Sequence, residues 1–293
     1  MEEPAPGATV LWESDRFREG RASTMDSRVL CQEWQRLLES WAIPEDILSQ
    51  AIASPWRLRP ESFAPSDIRA TSPTIAKIRE LLSLPSGLAA KSVLDVGCGA
   101  GGISLLLLDE LVSLTAVDVS QEMLDAFRQR FSQLDKTGVN LRLVHGSWLE
   151  VADTAGRAGV VVCANVMYNV PDPCEFILRL NDAAMTGVVI EIHESHPHSN
   201  ANGAWKHFWN IDRPRGPTGG QLLKIIESLG IKAQSLTFPR NAYLARPVNE
   251  EMVESIRERV CLSPSMDAQI KEFLLQQPPE EPTTRLIWWT KDL

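Results

Sequence analysis

The sequence predicts an α/β fold, a doubly wound, mostly parallel seven-stranded sheet of Rossmann-like type with an N-terminal helical cap. Three observations predict it. From Ser92 onward, short apolar runs of strand length alternate with amphipathic stretches of helical period. The first of these strands runs straight into the glycine-rich turn Gly97-Cys98-Gly99-Ala100-Gly101-Gly102. In the first 70 residues the periodic stretches have helical spacing, and residues 1–25 are polar and irregular. Strand–helix alternation implies a parallel sheet covered on both faces.

Residues 27–53 read as helix, with Val29, Leu30, Trp34, Leu37, Leu38 and Trp41 on one face and an interruption at Pro44. The proline-rich stretch 55–66 reads as an ordered loop. Ser72-Pro73 starts a further helix, serine as N-cap and proline in the first turn. The strands are expected at 92–96, 114–118, 141–145, 159–164, 187–193, 231–238 and 284–290. Helices are expected at 102–111, 122–134, 173–185, 218–229, 249–260 and 265–275. The domain reading is a cap or lid over residues 1–70 and a ligand-binding domain over 71–293, with an irregular insertion at 195–216.

The 293 residues carry 29 Lys and Arg against 38 Asp and Glu, a net charge of −9. Long polyanions are met by clustered basic side chains. The chain has no such run beyond Arg213 to Arg215, so nucleic acid is a poor partner. No segment is apolar over the length a membrane span needs, and the N-terminus is acidic, unlike a secretory signal. The five cysteines, Cys31, Cys98, Cys163, Cys174 and Cys261, are scattered, odd in number and free of CxxC spacing. They predict reduced, buried thiols in the cytoplasm, with neither a disulfide framework nor a zinc site.

The ligand is read from three strand ends. Glycines at 97, 99 and 102 bring a ligand against the main chain and also satisfy the dinucleotide pattern GxGxxG. Charge separates the possibilities. A pyrophosphate prefers a bare helix N-terminus, whereas Asp95 sets a carboxylate two residues before the first glycine. S-adenosylmethionine has no phosphate, and Asp95 can hold its ammonium. Asp118 ends the second strand, 21 positions after Gly97, where an acid accepts hydrogen bonds from ribose hydroxyls of either ligand. After the third strand, Ser147 can bond an adenine and Trp148 can stack on it.

Residues 92–193 resemble a class I S-adenosylmethionine-dependent methyltransferase of the small-molecule type. VLDVGCGAGG is similar to that family's first motif, AVDVSQEML to its second, HGSWLE to its third and ANVMYNVPD to the segment after its fourth strand. The resemblance implies that S-adenosylmethionine is held by Asp95, Gly97, Cys98, Gly99, Asp118, Val119, Met123, Ser147, Trp148 and Asn165. Ser147 departs from the aspartate more common there. It also implies a small-molecule acceptor, with Trp56 and Phe63 of the cap on its side.

On the acceptor side, Tyr168 and His193 are the candidates for catalysis and contact. His193, His196 and His198 stand beside Glu191 and Glu194. They read as a metal site or as the polar mouth of the crevice, and their spacing fits no zinc motif, so no metal is assigned. Trp205, His207 and Trp209 form either an acceptor pocket or a latch that packs the insertion onto the sheet. The competing functions are an NAD-dependent oxidoreductase, a non-catalytic binding protein on the same fold, and methylation of nucleic acid or protein.

Overall fold

The computed structural model describes residues 26–57, 60–84, 91–134, 138–239, 248–278 and 282–291. The N-terminal stretch 1–25 lies outside them. One seven-stranded sheet runs through the chain: β1 (Ser92–Val96), β2 (Ser113–Asp118), β3 (Asn140–His145), β4 (Ala158–Ala164), β5 (Ala184–His193), β6 (Gln234–Pro239) and β7 (Thr283–Thr290). Its order is β3-β2-β1-β4-β5-β7-β6. The first five strands are parallel, and β7 runs antiparallel to both β5 and β6. The order reverses between β1 and β4, so the loops leaving their carboxyl ends diverge and open a crevice. Ligands of doubly wound sheets bind at such a switch point.

Eleven α-helices occur among the described residues. They are α1 (Ser27–Glu39), α2 (Glu45–Leu48), α3 (Asp67–Ala70), α4 (Pro73–Leu82), α5 (Gln121–Gln133) and α6 (Trp148–Ala155). The series continues with α7 (Pro173–Ala183), α8 (Asn202–Trp209), α9 (Gly219–Ser228), α10 (Glu250–Arg259) and α11 (Asp267–Leu275). Their starts follow local chemistry. Ser72 accepts from the Ile75 amide with Pro73 in the first turn, and Thr218 and Gln221 form a reciprocal capping box. On one face of the sheet α4 and α5 bury Ile75, Ile78, Leu124 and Phe127. On the other, α1, α6, α7 and α9 bury Trp34, Trp148, Ile177 and Ile225. Strand β7 serves both faces, Trp289 entering one core and Trp288 bordering the other.

Four expectations change. The stretch read as helix 102–111 is a 3-10 helix over Ser104–Glu110 after a turn, because the loop's glycines delay helical backbone. Helix α1 packs mainly against α7 and α9, its Trp34 indole donating to the Val170 carbonyl at 3.0 Å, and meets the crevice only with its last turn, Leu38 and Glu39. The insertion 195–216 holds a 3-10 turn and α8. Helix α8 joins α2, α10 and α11 around a separate apolar cluster of Ile47, Trp205, Val253, Ile256 and Ile270. The cap is thus assembled from three separated stretches of chain. Finally, Cys31 and Cys174 form a disulfide between α1 and α7, their Cα atoms 6.3 Å apart across 143 residues of sequence. Helix docking brings them together, which spacing along the chain does not reveal. Cys98, Cys163 and Cys261 are free and buried.

Candidate cofactor and acceptor site

The glycine loop turns directly off β1. Gly97, Gly99 and Gly101 adopt positive φ of 71°, 51° and 89°, a region that other residues enter only with strain. Space forbids a side chain as well. A Cβ on Gly97 would run into Val166 Cγ2, and one on Gly102 would lie 2.7 Å from the Phe63 carbonyl oxygen. The loop is tied down by Gly97 and Cys98 amides donating to the Val117 carbonyl at 2.8 and 3.0 Å.

Asp118, at the end of β2, accepts from the Gly99 amide at 2.8 Å and from the Ser120 amide at 2.9 Å. Each carboxylate oxygen retains acceptor capacity beyond one bond. Beside it Val119 is 66% exposed and, like Asp118, does not border the cavity described below. The Met123 side chain is buried, its amide capped by Ser120.

Asp95 is 1% exposed. Burial pushes its carboxyl up to about 6, Asp118 adds to the rise, and the nearby Ser104 and the Arg69 guanidinium pull it part-way back. Neither Asp95 Oδ2 nor the Ser104 hydroxyl finds a well-formed hydrogen bond. A buried carboxylate oxygen without a partner costs several kcal/mol by general measures and invites a cationic ligand.

Across the switch point Asn165 sits at φ 60°, a left-handed conformation that asparagine tolerates. Its side-chain amide donates to Glu191 Oε1 at 2.9 Å, while its own Oδ1 is buried without a partner. Glu191 also accepts from the Thr74 hydroxyl at 2.5 Å and faces Arg69 Nη1 at 3.9 Å. Arg69, Asp95, Gly97, Cys98, Gly99 and Asn165 all border one cavity of about 1070 Å³. Arg69 and Thr74 escaped the sequence reading because they precede the strand–helix repeat and belong to no motif. The Cys98 thiol is pushed well up by burial and by Asp95 and Asp118, so it is a small filler and no nucleophile.

The far lobe of the same cavity is aromatic. Trp41, Trp56, Tyr168, His193, His196 and His198 border it, while Phe63 borders the cavity beside the glycine loop. Trp41 stacks on His196 at 4.1 Å and Trp56 on His198 at 4.9 Å, with Tyr168 edge-on to His196. His193 Nδ1 meets Thr284 Oγ1 at 3.0 Å, and the His193 amide donates to the Tyr168 hydroxyl at 2.5 Å. Burial first, and then the Arg259 and Arg213 guanidinium groups, pull His196 and His198 down to about 3. Both imidazoles are therefore neutral. Among the described residues no three His, Cys, Asp or Glu side chains are placed to hold a metal ion.

Some predicted residues stand elsewhere. Trp148 is buried in the core with Val117 and Val144, so its ring is engaged away from any adenine. Ser147 donates its hydroxyl to Glu150 at 2.6 Å. Trp205, His207 and Trp209 do not border the cavity. Trp205 is buried under the Arg213 guanidinium, Trp209 donates to the Val260 carbonyl at 2.7 Å, and His207 is exposed against Phe273. These three form the latch, which is the packing alternative; residues at helical spacing satisfy a small core as readily as a pocket.

Residues 93–183 match the family model described as a methyltransferase domain. This stretch holds the glycine loop, Asp118 and Asn165, and the sheet around it has the strand order given above. This part of the chain is similar to methyltransferase domains. Segments of curated ubiquinone biosynthesis O-methyltransferases are similar to this domain. The one from Vibrio parahaemolyticus is 31% identical over 102 residues, 34% of this chain and 42% of that protein. The one from Erwinia tasmaniensis is 38% identical over 89 residues, 30% of this chain and 35% of that protein. The chain thus spans less than half the length of these relatives. The magnesium protoporphyrin IX methyltransferase of Synechocystis PCC 6803, solved with bound SAH, aligns over 75% of this chain and 82% of its own. Its TM-score is 0.47, at 13% identity. Among the described residues no helix is long and apolar enough to cross a membrane.

Proposed function

We propose that the protein transfers a methyl group from S-adenosylmethionine to a small-molecule acceptor. The observation that carries this reading is the pair of orphaned buried oxygens, Asp95 Oδ2 and Asn165 Oδ1, of two residues that border one cavity at the switch point of a methyltransferase domain. Two acceptor atoms enclosed in this way fit an ammonium, and the glycine loop leaves room at main-chain distance. The Arg69 guanidinium, from the segment lying over that loop, suits the carboxylate at the same end of an amino acid. Asp118 suits the ribose hydroxyls, and the exposed Val119 side chain suits one face of the adenine. When bound, the cofactor supplies an electrophilic methyl already activated by the sulfonium charge. The remaining work falls to positioning and water exclusion.

Acceptor positioning is assigned to Tyr168 and His193. Thr284 fixes the His193 ring through Nδ1, and the short bond from the His193 amide fixes the Tyr168 hydroxyl. The net charge of −9 supports a small acceptor over nucleic acid.

Asp95 also disfavours the NAD reading, since its carboxylate lies where a pyrophosphate would sit. Equilibrium dialysis with labelled S-adenosylmethionine tests the proposal. Saturable binding displaced by SAH and not by NADH is the expected result. Displacement by NADH alone would overturn it.

A further inference from the structure

From Thr186 to His193 every residue of β5 is buried. Successive side chains of a strand enter opposite layers. Val188, Ile190 and Ile192 join the core of Trp34 and Ile177, and Val189 joins the core of Ile75 and Leu124. Alternation therefore sets Glu191 on the Val189 face, in a layer otherwise filled by aliphatic side chains, and it is 7% exposed. A carboxylate in such a layer costs free energy unless it is bonded, and an aliphatic residue would fill the place without that cost. Packing alone does not account for it. Its bonds do. Oε2 accepts from the Thr74 hydroxyl, in the first turn of α4, at 2.5 Å. Oε1 accepts from Asn165 Nδ2 at 2.9 Å and lies 3.9 Å from Arg69 Nη1. The Glu191 main-chain carbonyl accepts from the Asn165 amide at 2.8 Å. Asn165 and Arg69 border the cavity, and Glu191 does not.

These bonds decide an orientation. A side-chain amide presents either its NH₂ or its carbonyl oxygen, two ends of nearly equal shape, whereas a carboxylate only accepts. Glu191 therefore turns the NH₂ of Asn165 toward itself and leaves Oδ1, which has no partner among the described residues, as an acceptor. A reversed amide would set donors against an ammonium and repel it. The main chain of Asn165, left-handed at φ 60°, is held by the same residue through its carbonyl. We propose that Glu191 is a positioning residue for the amino-acid end of the cofactor: it fixes the Asn165 amide as an acceptor and keeps the Arg69 guanidinium beside it. The proposal rests on the methyl-transfer reading above. Glu191 acts through Asn165 and Arg69, without touching the cofactor or the acceptor itself.

The test uses the full chain and two probes, SAH and 5′-methylthioadenosine. Both carry the adenosine and the thioether sulfur, and only SAH carries the amino-acid end. Calorimetry at pH 7.5 is expected to show wild type binding SAH at least about tenfold more tightly, one charge-assisted contact being worth that much. Glu191→Gln should weaken SAH about tenfold and leave 5′-methylthioadenosine within about twofold, because the residue acts on one end of the ligand only. Combining Asn165→Asp with Glu191→Gln exchanges donor and acceptor between the two positions, and should return SAH to within about threefold of wild type. Thr74→Val is the milder variant. It removes one bond to the carboxylate, alters neither cavity residue, and should weaken SAH about threefold with 5′-methylthioadenosine unchanged. It carries the test alone if melting shows Glu191→Gln to be unfolded. Equal losses of both probes would reduce Glu191 to a structural role and overturn the proposal. So would SAH affinity untouched by the single variants, a double variant no better than Glu191→Gln, or a wild type that binds the two probes equally. A wild type that binds neither probe would instead overturn the methyl-transfer reading.

Discussion

The buried carboxyl of Asp95 gives cofactor affinity a pH dependence that can be worked out in advance. Burial holds this group at about 6, with Asp118 raising and Ser104 and Arg69 lowering it. An ammonium is bound by the carboxylate and not by the neutral acid. The ionised fraction of a group at about 6 falls from about 0.9 at pH 7 to about 0.1 at pH 5, so affinity should drop about tenfold over that span. Above pH 7 it should be flat. His196 and His198, at about 3, stay neutral throughout and add nothing. The assay is calorimetric titration of SAH at half-unit steps from pH 5 to 8, with wild type and Asp95→Asn. The substitution removes the charge at nearly constant volume, so it should weaken binding at pH 7 by about tenfold or more and abolish the slope. A wild-type profile flat between pH 5 and 7, or an Asn variant that keeps the slope, would refute the assignment of Asp95 to the ammonium.

Three further outcomes follow from the same coordinates. Gly97→Ala combines a left-handed backbone with collision against Val166, so it should cost about 1–3 kcal/mol of stability by thermal melting and weaken SAH further. Trp148→Ala should destabilise the fold by about 3–5 kcal/mol in urea unfolding, because the ring is core. SAH affinity under folding conditions should change little, and a large selective loss of binding would return Trp148 to the adenine site. Acid should destabilise the protein between pH 6 and 4. His196 and His198 are lowered from 6.5 to about 3, so the unfolded state binds their protons first and stability falls with pH through that window. Asp95, raised from 3.8 to about 6, acts in the opposite sense. Two groups against one leave a net loss of about 1.4 kcal/mol per pH unit, read from urea midpoints at pH 6, 5 and 4.

The sheet was legible because its signal is local. The central strands β1, β4 and β5 are short apolar runs, and the loop after β1 announces itself in a ten-residue motif that includes both Asp95 and the glycines. The candidate cofactor residues were legible with it, since Asp118 ends β2 and Asn165 follows β4, the two strands that flank β1. The acceptor side was less legible, because it depends on how distant segments dock. Trp205 and Trp209 show the same helical spacing whether they face a pocket or the α2–α10–α11 cluster, and only the packing decides. Arg69 reaches Glu191 from a four-residue helix with no pattern around it. Trp41 enters the cavity wall because Gly216 and Arg213 clamp the end of α1. The Cys31–Cys174 disulfide depends on the same docking of α1 on α7.

The central claim is that the crevice between β1 and β4 binds S-adenosylmethionine through Asp118 and the glycine loop. Calorimetry of SAH against wild type and Asp118→Ala at pH 7.5 tests it most directly. The account predicts micromolar binding with one site per chain, weakened by about 10- to 100-fold in the variant, as expected for charge-assisted hydrogen bonds lost together with the Gly99 anchor. A folded wild type that binds no SAH, or a variant that binds it as tightly as wild type, would contradict it.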